Sequence, residues 1–168
     1  ATAPIKGKAE EKYERICRLD TGQGMAAGIS DVKACYKSAD TLFEAEEYNR
    51  ATKEFAKMMA MADALLQKQA RREAAMAARD RAVAERSEAE DVGAQKNAAP
   101  AWKSAQGLEA AAEEAFARGN FEGAEATWHA ARVQYVRAAF RANKRQVLHV
   151  SRTAYQNVAS RMEPGLLE

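Results

Sequence analysis

Leu, Ile, Val and Phe together supply only about one residue in seven of this 168-residue chain. That is below the level of an ordinary globular core. Such poverty can mark disorder, but the residues that replace the missing ones argue otherwise. About a quarter of the chain is Ala, the strongest helix former, and Glu, Lys, Arg, Gln and Met fill most other positions. Proline is scarce too: Pro4, Pro100 and Pro164 are the only three, and none interrupts a long periodic segment. The chain is therefore expected to be all-α, with helices drawn together through Ala in an elongated bundle rather than a ball. A core this thin also favours burial against a partner or a second copy.

Long apolar runs are missing. None reaches the roughly 18 residues of a transmembrane helix. The chain opens ATAP without Met, which fits a mature end left by an export signal as well as a trimmed start. Exported or periplasmic and cytoplasmic locations stay equally open. Cys17 and Cys35 are the only cysteines, on neighbouring expected helices. They can close one disulfide in an oxidising compartment or remain small buried thiols.

Residues for chemistry are equally sparse. His129 and His149 lie roughly 200° apart around one helix, so they cannot hold one ion together within a chain. No carboxylate–His ladder or HExxH spacing occurs. The glycine-rich TGQGMAAG lacks the Lys-Ser/Thr ending of a phosphate loop and a strand before it. The run KMMAMAD carries soft sulfur ligands of a kind that suit Cu(I). On a helix, however, Met58 shares a face with Phe55, Ala62 and Leu65, which reads as core filling. No catalytic constellation stands out, so a non-enzymatic role without cofactor or metal is expected.

The punctuation defines five helices. The first runs from about Lys6 to Leu19, and DTGQGMAAG breaks it. Ser30 or Asp31 is the expected N-cap of the second, which ends near Ala45. After a turn through Glu46 and Glu47, a third helix runs from Tyr48 to about Val92. Gly93 and AQKNAAP separate it from a fourth, about Ala101 to Arg118, with Pro100 at its start. Gly119 and Asn120 then turn the chain into a fifth, Phe121 to about Met162, stopped by Pro164 and Gly165. The expected organisation is an N-terminal helix and connector (1–30), a first helical hairpin (31–92), a linker (93–100), a second hairpin (101–163) and a tail (164–168). The third and fifth helices are each about 42 residues, some 63 Å at the standard rise.

The two hairpins repeat each other at an offset of 73 positions. Ala39 falls on Ala112, Phe43 on Phe116, Tyr48 on Phe121, Ala51 on Ala124, and Phe55 on Trp128. The constant offset through the turn goes beyond shared composition. Small residues let two helices approach. The aromatic after the turn is expected to plug the hairpin's open end, and the aromatic seven residues later to pack the seam.

This arrangement resembles the tetratricopeptide repeat. Ala112, Gly119, Phe121, Ala124, Trp128 and Ala131 match its pattern in the second copy. Ala39, Tyr48, Ala51 and Phe55 match in the first, where Glu46 replaces the Gly and Met58 the last Ala. The copies are further apart than that family's period, their second helices are much longer, and no proline closes the repeat. The resemblance covers about 70 residues and implies a binding or assembly role, since such repeats present a groove to a peptide or partner.

The last helix holds the clearest charge pattern. Between Ala126 and Met162 there are seven basic residues and no acidic one. Setting those seven aside from the net charge of +2 leaves the remainder at −5. Arg137, Arg141, Lys144, Arg145 and Arg152 fall on one side, next to an apolar stripe of Val136, Phe140, Val147, Val150, Ala154 and Val158. Two fates are open to this face. It can pair within the protein, with Glu85, Glu88, Glu90, Asp91, Glu109, Glu113 and Glu114. Or it can stay free to steer an acidic protein partner, or to bind nucleic acid or an anionic surface through 132–161, with Tyr135 and Tyr155 available for stacking. In the mixed-charge tract Gln67 to Asp91, Met76 and Val83 lie seven apart on an Ala-rich side. That tract is expected to pack partly on the last helix and partly on a partner or second copy. The functional expectation is a helical protein-interaction or assembly module.

Overall fold

The computed structural model describes residues 3–19 and 24–162, the last two as backbone only. Part of the glycine-rich connector (20–23) and the Pro164–Gly165 stop with its tail lie outside the described residues, as does the Arg161 side chain. Among the described residues there are six helices and no strand: α1 (Ala3–Cys17), α2 (Ala26–Glu44), α3 (Tyr48–Asp91), α4 (Ala94–Asn97), α5 (Ala99–Ala117) and α6 (Phe121–Met162). The chain is all-α. Its third and last helices are 44 and 42 residues long.

Two boundaries differ from expectation. α2 starts at Ala26, ahead of Ser30 and Asp31, and its N-cap, Met25, makes no side-chain capping bond. Met25 and Ile29 are buried, so packing rather than capping sets that first turn. The expected linker 93–100 is mostly helical. Gly93 sits at φ 68°, which lets the chain turn, α4 follows, and Pro100 lies in the first turn of α5. Buried Ala94 and Ala98 tie this segment into the core.

The chain divides into two compact units, Ala1–Ala74 and Ala75–Glu168. The division falls inside α3, not in the linker. In the first unit, α1, α2 and the start of α3 share one core. Ile16, Met25, Val32, Phe55 and Met58 are fully buried there, with Ala39, Ala51 and Ala62 at the close approaches. Tyr13 stacks on Tyr36 with ring centroids 4.2 Å apart. In the second unit, Ala75, Ala78 and Ala82 of α3 pack with Ala112, Phe121, Ala124 and Trp128. Ala89, Trp102, Ala131, Tyr135, Ala138 and Ala142 continue that core. Part of the tract 67–91 thus packs against α5 and α6, as expected, while Met76 and Val83 face outward.

The repeat at 73 positions is present in the backbone of both turns. Ala45, Glu46 and Glu47 donate their N–H groups to Thr41, Phe43 and Leu42. Arg118, Gly119 and Asn120 donate theirs to Glu114, Phe116 and Ala115, each acceptor 73 positions on. The left-handed residue that closes such an end is Gly119 at φ 78° in the second copy and Glu46 at φ 61° in the first. Phe116 meets Phe121 at 5.1 Å, and Phe43 meets Tyr48 at 5.5 Å. Ala39, Ala51, Ala112 and Ala124 are fully buried, as are the seam residues Phe55 and Trp128. One expected equivalence is loose. Phe121 is buried and plugs its hairpin, whereas Tyr48 is 46% exposed and covers its turn only in part. Its phenol oxygen favours water at a hairpin end, where a Phe has nothing polar to expose.

Candidate functional site

Two faces of α6 run in opposite directions of polarity. The inward face carries Phe121, Ala124, Trp128, Ala131, Tyr135, Ala138 and Ala142, spaced alternately by three and four residues and all buried. The same spacing continues as Arg145, His149 and Arg152, all exposed. The core of this helix therefore ends where its sequence turns from Ala to cations. Beyond Ala142, no described residue of α6 is buried. Phe140, Val147, Leu148, Val150, Tyr155 and Val158 are exposed there or just before, Phe140 by 69% and Tyr155 by 76%. Several exposed apolar side chains along one helix segment mark a contact site more often than an isolated one does.

Four of the seven acids expected to neutralise the basic face pair elsewhere. Arg79 of α3 pairs with Glu113 at 2.8 Å, and Arg86 pairs with Glu109 at 2.8 Å and with Glu90 at 3.9 Å. Glu114 pairs with Arg118 at 3.8 Å. On α6, Arg132 alone reaches one of the seven, meeting Glu85 at 3.0 Å. Arg137, Arg141, Lys144, Arg145 and Arg152 are exposed and make no ion pair among the described residues. Among the described residues, ion pairing along α6 thus ends at Arg132, and two acids of α5 take cations of α3 instead.

Two shallow clefts flank this basic segment. One, of about 400 Å³, is lined by Asn97, Ala98, Pro100, Arg141, Lys144, Arg145 and Leu148. Its lining combines Pro, Ala and Leu with three cations, a setting for an apolar group beside a carboxylate. In the second, Arg145 and His149 share the walls with Asp91 and Asn97.

Tyr135, considered above as a stacking ring, does not belong to this face. It is fully buried. Its hydroxyl donates to Glu109 at 2.6 Å, and its ring meets Trp102 edge-on at 5.1 Å. Burial first, and then the hydrogen bond to Glu109, push its pKa well up. Glu109 also accepts from Arg86, so one α5 carboxylate joins α3, α5 and α6. The sequence reading missed this junction, because nothing in the spacing of Glu109 distinguishes it from its neighbours.

The sulfur residues have structural surroundings. Met25 and Met58 are fully buried, with Met59 and Met61 against the same core. Cys17 is an exposed free thiol and Cys35 a buried one. The Cys35 Sγ lies 3.6 Å from the Glu54 carbonyl oxygen and 3.5 Å from its carboxylate. Burial, and then Glu54, push the Cys35 pKa up, the opposite of an activated thiolate. Among the described residues, no three His, Cys, Asp or Glu side chains come together as a metal cage. No described helix is long and apolar enough to cross a membrane. No family model, curated protein or solved structure matches this chain.

Proposed function

We propose that this protein is a helical interaction or assembly module with a non-enzymatic role, whose last helix steers an acidic protein partner onto the segment around Arg137 to Arg152. One observation carries this reading. After Glu125, α6 carries no acid and holds five cations without an ion pair among the described residues, beside exposed apolar side chains such as Phe140, Val147 and Val150. The second hairpin, with its tetratricopeptide-like spacing, holds the first part of α6 in place. Charge at the rim brings the partner in, and burial of the apolar side chains holds it. The competing reading, nucleic acid or another anionic surface at 132–161, draws on the same cations. It loses one of its two stacking rings, since Tyr135 is buried.

The test is titration of a fluorescent Glu-rich peptide with the whole protein. The comparison is the variant Arg137→Glu, Arg141→Glu, Lys144→Glu, Arg145→Glu. Binding at least tenfold weaker in the variant, with unchanged helical content, is expected. Equal binding by both proteins would remove the basic face from the proposal.

A further inference from the structure

On its outward side, α6 repeats a strict pattern. Val133, Val136, Phe140, Asn143, Val147 and Val150 follow one another by alternating steps of three and four, and all six are exposed. The same steps continue through Ala154 and Asn157. This is the a/d pattern of a coiled-coil strand, in which apolar residues every 3.5 residues on average form a seam for a second helix. It spans more than three heptads, about 36 Å, which is enough for a two-stranded contact. The seam is not the core face. The buried positions Trp128, Ala131, Tyr135 and Ala138 sit nearly half a turn around the helix from it, so both faces can be filled at once.

The flanks of this seam decide what fills it. With Val133 at a and Val136 at d, Arg137 and Lys144 occupy e positions. The other flank is neutral between 139 and 153, with Ala139, Gln146 and Thr153 at g. A second copy of α6 laid antiparallel on the seam would set Arg137 and Lys144 against the same cations, and laid parallel would leave them facing neutral residues and Arg132, because no acidic residue follows Glu125 on this helix. An acidic helix sets carboxylates opposite these cations in either orientation. We infer that the outward face of α6 is a coiled-coil seam for an acidic amphipathic helix of a different chain. Asn143 and Asn157 place polar side chains at two d positions of the seam. The partner carries its carboxylates at g positions if it lies parallel to α6, and at e positions if antiparallel. This inference rests on the proposed function above and names its partner by fold and charge.

A set of synthetic peptides of about four heptads tests it with the whole protein. One has apolar a and d residues and Glu at e and g. A second has the same composition with the heptad order scrambled. A third keeps the heptads but carries Lys at e and g. Fluorescence anisotropy should show binding of the first at least tenfold tighter than the scrambled peptide, and none of the third. Val147→Asp with Val150→Asp should cost at least tenfold while leaving the helical content unchanged, since both side chains are exposed. Arg137→Glu with Lys144→Glu should exchange the preference toward the Lys peptide. Equal binding of ordered and scrambled acidic peptides would overturn the seam and leave the basic-face proposal standing. No binding of either acidic peptide would overturn both. A concentration-dependent dimer abolished by Val147→Asp would replace the acidic helix by a second copy. Tighter binding of duplex DNA or of phosphatidylserine vesicles than of any peptide would likewise overturn it.

Discussion

Beyond their hairpins, α3 and α6 are used differently. α3 goes on to bury Ala75, Ala78, Ala82 and Ala89 in the core of the second unit. At the repeat offset, α6 has Leu148, Ser151 and Tyr155 in place of the first three of those alanines, and all three are exposed. An Ala stripe admits close neighbours, as α5 and the start of α6 demonstrate around Trp128. A face bearing Leu and Tyr beside cations does not fit such a tight packing. The extension of the first hairpin's second helix is consumed within the chain, and that of the second remains available.

That contrast can be broken first at the core. Trp128→Ala should destabilise the second unit by about 3–5 kcal/mol, the usual cost of emptying a large aromatic site. Phe140→Ala, on the outward face of the same helix, should cost under about 0.5 kcal/mol. Chemical denaturation followed by circular dichroism measures both, and equal costs would mean that Phe140 is buried in solution. Next in size is the binding loss of at least tenfold on reversing Arg137, Arg141, Lys144 and Arg145, equivalent to about 1.4 kcal/mol.

The Glu109 junction gives a smaller effect. Tyr135→Phe removes the 2.6 Å bond to Glu109 and should cost about 1 kcal/mol. The Tyr135 and Tyr36 phenols both have raised pKa values, and Tyr36 is pushed up to about 12 by burial and then by the charge of Glu10. Folding therefore favours their protonated forms. Their contribution is whole below the ordinary tyrosine value near 10 and is lost as pH rises through the folded values. Denaturation midpoints at pH 9 to 12 should fall more steeply for the native chain than for Tyr135→Phe with Tyr36→Phe.

The smallest effect lies in the two turns. Glu46 holds a left-handed conformation that costs a side-chain-bearing residue about 1 kcal/mol, whereas Gly119 adopts its counterpart freely. Glu46→Gly should stabilise by roughly 0.5–1 kcal/mol, and Gly119→Ala should destabilise by about 1 kcal/mol. Thermal melts of the two variants moving the same way would contradict the equivalence of the turns.

The helices and the repeat were legible because periodicity and punctuation are local. Ala112, Phe121, Ala124 and Trp128 announce their burial by spacing alone. The start of α2 was not, because Met25 and Ile29 set it through contacts with distant residues. The division of α3 between two cores was hidden for a similar reason, since its Ala pattern runs on without a break. On α6, the basic face was readable as composition. Its lack of ion pairs among the described residues was not, because that depends on Arg79 and Arg86 taking Glu113 and Glu109.

Hydrogen–deuterium exchange with and without the acidic heptad peptide tests the outward face of α6 most directly. In the free protein, amides at 143–160 should exchange much faster than those at 75–89 of α3. On adding peptide, protection should rise across 133–157 and leave 75–89 unchanged. Slow exchange at 143–160 without peptide, or protection that appears elsewhere when it binds, would contradict the assignment of this face.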